Sequence, residues 1–185
     1  MATSLAPDQL KSRLWSRPGA HVVALLDGAR LAHLPGRIAS AGVADSDSLT
    51  RGALLPAEAE RAVRLVLLKP ELALTDWLIT DAHREAADWG LFLVAPAGLR
   101  ALRDHLRGLA EVNTPESRRR KWRWHDPGLL ACVLPLLDVW QADAFFGPVV
   151  ELLAPDGTGF TSYQRDIARV RVEPIALLAS AAAPV

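Results

Sequence analysis

Three short apolar runs stand out along the chain, each cut off by turn-forming residues. HVVALLD, from His21 to Asp27, lies between Pro18-Gly19 and Gly28. RAVRLVLLKP ends at Pro70, and WGLFLVAP ends at Pro96. Runs this short and this rich in valine and leucine predict buried strands. Between and after them the apolar spacing becomes helical. Leu10 and Leu14 in PDQLKSRLWS are one turn apart, and ELALTDWLITDAHREA carries Leu74, Trp77, Leu78 and Ala82 at helical intervals. AGLRALRDHLRGLAEV sets Leu99, Leu102, Leu106 and Leu109 on one stripe, with its charges opposite. The Gly-, Ser-, Asp- and Ala-rich stretch from Leu34 to Asp47 reads as loop with at most a turn of helix. LTRGALL reads as a short edge strand weakened by Gly52.

The second half begins with the polar loop NTPESRRR, followed by the alternating KWRW, which fits a short strand leading into a helix. DPGLL is a helix start. Asp126 can cap free backbone N–H groups, and Pro127 at the first helical position loses no hydrogen bond. Leu129, Leu130, Val133, Leu134 and Leu137 would form the buried face, with Cys132 in the same apolar stripe, and Pro135 predicts a kink or an early end. QADAFFGP is a further helical turn stopped at Gly147-Pro148. VVELLAP and IARVRVEP supply two last strands around the turn-rich DGTGFTS, and IALLASAAAPV is a loosely docked tail.

Alternating strands and helices without a repeat or long linker give an α/β (or α+β) fold. The expected form is a mixed sheet with flanking helices in an N-terminal lobe and a more helical C-terminal lobe. The chain then forms one domain, 1–185, divisible near NTPESRRR into lobes of about 1–113 and 118–185.

Composition narrows the classes of function. Lys plus Arg and Asp plus Glu are 21 each, a formal net charge of zero, which lacks the basic excess of a dedicated nucleic-acid binder. One cysteine excludes an internal disulfide framework and suits a reducing compartment. No signal peptide is evident at the start, and no run approaches the ~18 apolar residues of a membrane helix. The expectation is a soluble, cytoplasmic protein without membrane attachment.

The densest chemistry lies in RRRKWRWHDPGLL. Arg118, Arg119, Arg120 and Lys121 beside Trp122 and Trp124 supply charge and stacking faces for a single nucleic-acid strand, but they equally describe a solvated loop before core tryptophans. Adjacent His125 and Asp126 do not form a relay by themselves, and no G-x-S-x-G elbow supplies a nucleophile. The five histidines (His21, His33, His83, His105 and His125) lack metal-site spacing. Asp27-Gly28 stands where α/β enzymes often place a carboxylate, yet it equally makes a turn. DGTG at Asp156 matches no phosphate loop. No catalytic, metal or cofactor site emerges.

The order of segments carries a resemblance. An ALLDGA strand (Ala24–Ala29), a WG strand running into an LxxHLR helix (Trp89–Arg107), an aromatic-Arg-aromatic joint before Asp-Pro (Trp122–Leu130) and an FFGP turn (Phe145–Pro148) follow one another. Together they resemble the effector adaptor/chaperone family of bacterial type VI secretion. His125 stands where the family pattern has tyrosine, and Gly128 where it has arginine; the second change removes a cation from the joint. The resemblance implies a non-enzymatic, cytoplasmic protein without cofactor. Its expected partners are a cognate secreted effector and the VgrG-type spike onto which the effector is loaded. Arg123, Trp124 and His125 are then the expected contact residues, followed by Asp27 and Arg30, while Trp122, Asp126 and Pro127 brace the joint. A small hydrolase or transferase using Asp27 or His125, and single-strand nucleic-acid binding, stay open as alternatives.

Overall fold

The computed structural model describes residues 3–113, 119–167 and 169–178. Eight strands form one mixed sheet. At its centre β2 (His21–Asp27) lies between β4 (Val63–Leu68) and β5 (Gly90–Ala95), and beyond β4 is the edge strand β3 (Ser46–Ser48). Beyond β5 come β8 (Glu151–Pro155), β9 (Gly159–Arg165), β10 (Val170–Leu177) and the short β1 (Thr3–Leu5). Every neighbouring pair is antiparallel except β1 with β10. A separate ribbon joins β6 (Glu111–Asn113) to β7 (Arg119–Lys121). The α/β architecture expected from the sequence is present. The strands after the ribbon, β8 to β10, belong to the same sheet as β2 to β5.

The apolar runs are unbroken because both faces of the sheet are covered. Val22, Ala24 and Leu26 of β2 enter one core, and Val23 and Leu25 enter the other. The first core lies under α1 (Pro7–Leu14), α2 (Leu34–Ser40), α4 (Ala73–Thr80) and α5 (Ala82–Glu85), through Leu10, Leu14, Leu34, Leu74, Leu78 and Ala82. The second lies under α6 (Leu99–Gly108), α7 (Pro127–Val133), the 3-10 turn Leu134–Leu136 and α8 (Val139–Phe146). Each fully buried leucine contributes about 1.5–3 kcal/mol relative to exposure. Helix α3 (Pro56–Arg61) buries no residue and stays on the surface.

Several sequence expectations are corrected here. The edge strand is the polar Ser46–Ser48, not LTRGALL, where Gly52 takes a φ of +84°. The Leu34–Asp47 stretch holds a full helix, because Leu34 and Ile38, one turn apart, bury together. Only Asp156 to Thr158 of DGTGFTS turns the chain; the rest opens β9, which pairs along both sides. Ile175 to Leu177, placed in a loose tail, complete β10, and Ile175 is fully buried; residues 179–185 lie outside the described part. Cys132 is exposed rather than in the stripe. Leu130 of the short α7 and Leu134 of the 3-10 turn that follows take the buried positions, and Cys132, two residues from each, points away.

One polar network ties the N-terminal helix to the far strands. Arg13 of α1 donates to Glu151 of β8 (3.0 Å) and, through two nitrogens, to Glu173 of β10 (3.1 and 2.8 Å). Thr3 donates to Glu173 and Ser162 to Glu151, so both carboxylates are fully engaged.

Candidate functional site

The expected joint forms as a capped helix start at Asp126-Pro127, but the strand before it ends earlier than the KWRW pattern implied. Strand β7 ends at Lys121, and Trp122 to Asp126 make a bend before α7. Asp126 accepts from the Leu129 N–H at 3.1 Å, and Pro127 occupies the first turn. Pro135 falls in the 3-10 turn where α7 stops, as its missing N–H requires. Trp122 is half-buried, and its indole N–H donates to the Leu109 carbonyl at the end of α6.

Asp27 is what the joint closes upon. It ends β2, facing the second core, and its side chain is 4 % exposed. Oδ1 accepts from the Ala29 N–H at 2.9 Å, and Oδ2 accepts from Arg123 Nη2 at 2.5 Å. His125 Nε2 lies 3.5 Å from the same oxygen, at the limit of hydrogen bonding, and makes no other bond. Burial pushes the Asp27 carboxyl up; His125, the Ala29 N–H and the Arg123 guanidinium outweigh it and hold the group below the ordinary carboxylate value. The carboxylate is therefore charged, and the short bonds from Arg123 and Ala29 satisfy it. Arg30, on the turn after β2, pairs with Asp88 at 2.8 Å and ties that turn to the loop before β5.

A second contact joins the other two sequence marks. His105 Nε2 of α6 meets the Phe145 carbonyl at 2.9 Å. Gly147 follows with a φ of +50°, and a side chain there would run into the His105 ring. The histidine of LxxHLR and the glycine of FFGP thus fit one another. Trp124 packs edge-on against Phe145 at 5.9 Å between ring centres, which connects this contact to the joint.

Five residues were expected at a partner surface, and the structure divides them. Arg123 and Arg30 are about half exposed, with side chains at 50 % and 41 %. His125 and Asp27 are nearly enclosed, and Trp124 is 1 % exposed and part of the second core. Without a free Trp124, the pair of stacking faces needed by a nucleic-acid strand is not on offer. The side chains of Arg118 to Lys121 lie outside the described residues. Asp27 and His125 do meet, but neither lines the cleft of about 370 Å³ found elsewhere on the chain. Among the described residues no group of three or more His, Cys, Asp or Glu gathers as a metal site. Nor is any helix there long and apolar enough to cross a membrane.

The sequence reading missed the most exposed large apolar side chains near the joint. Leu136 and Trp140 are both 82 % exposed, with Val139 between them at 37 %. Asp138 caps α8 by accepting from the Gln141 N–H, so this corner is held rigidly with its tryptophan facing water. The signal was present in VWQADAFF, where Ala142, Phe145 and Phe146 occupy the buried face and leave Trp140 outside.

Residues 23–144 match the family model described as "Domain of unknown function (DUF4123)", and the chain belongs to that family. The family is associated with adaptors of type VI secretion effectors, which agrees with the resemblance read from the joint and the FFGP turn. Searches of curated proteins and of solved structures gave no significant match.

Proposed function

We propose that this protein is a non-enzymatic cytoplasmic adaptor that binds a cognate type VI secretion effector and helps to load it onto the VgrG-type spike. The observation that carries the reading is the rigid apolar corner of Leu136, Val139 and Trp140, inside the family segment. Leu136 ends the 3-10 turn and Val139 and Trp140 open the capped α8; leaving such large apolar side chains in water is unfavourable, and exposed apolar patches mark protein contact sites. Tryptophan is also among the residue types that dominate binding energy at interfaces. Arg123, half exposed and paired with Asp27 at the joint, is a second candidate contact residue. A zero net charge fits selection by shape and local patches rather than by a long-range field.

A hydrolytic reading of Asp27 and His125 has one observation in its favour, their 3.5 Å approach. Both are nearly enclosed, and Asp27 is already committed to Arg123 and the Ala29 N–H, which favours a structural lock.

The test is co-expression of the tagged protein with the product of the neighbouring gene, followed by sizing of the complex. A stoichiometric complex that is weakened by Trp140→Ala, with melting unchanged, is the expected result. A folded protein that binds neither this product nor the spike sinks the proposal.

A further inference from the structure

The stretch from Pro127 to Gly147 differs in charge from the chain around it. It contains Asp138 and Asp143 and no Lys, Arg or His, in a protein whose formal net charge is zero. Both carboxylates stand at α8 and bracket its exposed apolar residues. Asp138 immediately precedes Val139 and Trp140, and Asp143 lies one helical turn after Val139. Asp138 accepts from the Gln141 N–H at 2.8 Å through one oxygen and makes no ion pair among the described residues. Asp143 pairs with Arg165 of β9 at 3.0 Å, but these side chains are 48 % and 44 % exposed. A pair so open to water is worth little and is easily exchanged for another cation.

The shape of the corner narrows the partner further. Leu136 and Trp140, each 82 % exposed, stand almost as free of neighbours as in an open chain. Side chains so placed project from the surface and enclose nothing themselves. Burying them requires a concave surface on the other molecule. Interfaces put large anchors at a desolvated centre and leave charged contacts to the rim. Here Leu136, Val139 and Trp140 are the centre, and the rim is negative.

Resting on the adaptor reading, we propose that the corner is a knob entering an apolar recess on the folded effector, with Lys or Arg at the mouth of that recess pairing with Asp138 and Asp143. The leucine and the tryptophan leave water as the recess closes over them. The two carboxylates orient the knob, speed the encounter and reject recesses rimmed by acid. The effector is thus held by a feature of its folded surface, not as an extended segment.

The test is a calorimetric titration of the full-length protein with the neighbouring gene's product, at low salt and again in about 1 M salt, where screening acts within about 3 Å. Two variants are compared with wild type: Trp140→Ala, and Asp138→Asn combined with Asp143→Asn. Asparagine also caps helices, so the double variant should melt close to wild type. It should bind roughly three- to tenfold more weakly at low salt, and the gap should close in high salt. Trp140→Ala should lose at least about tenfold in both. Peptides covering the effector's sequence should bind far more weakly than the folded effector. A double variant that binds like wild type at low salt, or a peptide that matches the folded effector, overturns the proposal; with Trp140→Ala still impaired, the adaptor reading stands. If Trp140→Ala abolishes only self-association or spike binding, the corner belongs to a second copy or to the spike, and the proposal is again overturned. If wild type forms no complex at all, both readings fall. Should the double variant fold poorly, Asp138→Asn alone decides.

Discussion

Removing the charge of Asp27 while keeping its shape tests whether the joint is locked electrostatically. Asparagine retains an oxygen for the Ala29 N–H but loses the charge-assisted bond from Arg123, 2.5 Å long. Bonds to charged groups are worth about 1.5–3 kcal/mol, and breaking a fully buried ion pair costs about 3–5 kcal/mol. The upper range does not apply, because the Arg123 side chain is 50 % exposed and can turn to water. Relief of the carboxylate's desolvation offsets a further part. Asp27→Asn should therefore cost about 2 kcal/mol at neutral pH, or roughly 4–8 °C in melting temperature for a chain of this length. The folded pKa of Asp27 lies below its unfolded value. Its charge thus stabilises above the unfolded value, and that contribution fades as pH falls through the folded one. Urea unfolding followed by tryptophan fluorescence should show the full gap between wild type and Asp27→Asn at neutral pH, closing in acid below the ordinary carboxylate range. A loss under about 0.5 kcal/mol at neutral pH, the range of unremarkable surface changes, would refute the lock. So would a gap that acid leaves unchanged.

Three further outcomes follow from the same geometry. Arg13, with Thr3 and against the cost of burial, holds the Glu173 carboxyl at about 2 instead of 4.5. Glu173→Gln should cost about 2–3 kcal/mol above the unfolded value, discounted for its partial exposure, and the loss should vanish as pH falls toward 2, as acid titration of stability would show. Trp124→Ala should cost about 3–5 kcal/mol because the ring is core; where the variant remains folded, its affinity for the effector should match wild type, unlike that of Trp140→Ala. Gly90→Ala should destabilise by more than about 1 kcal/mol in thermal melts, since φ there is +149° and a Cβ would strike the Leu25 carbonyl; an unchanged melt would show that β5 can shift away from β2.

Much of the core was legible along the chain because its signals are local. HVVALLD is β2 to the residue, and the stripe of Leu99, Leu102 and Leu106 is the buried face of α6. Asp126-Pro127 starts α7 and Pro135 ends it, since capping and a missing N–H act within one turn. The family marks could be read in order, but what each one touches could not.

The sequence alone thus determined the central strands, the main helices, the helix-start chemistry and the family. Tertiary structure decided the elements whose stability comes from partners distant in the chain. β9 has few apolar residues and exists by pairing with β8 and β10, while β1 is three residues docked on β10. It also decided which tryptophan is which. Trp124 follows a run of basic residues in the sequence and Trp140 opens a largely apolar helix, yet the first fills the core at 1 % exposure and the second faces water at 82 %. Local pattern fixes a residue's place on its own helix or bend. Whether that place is covered depends on which other elements pack there, and that is settled only when the whole chain has closed around its two cores.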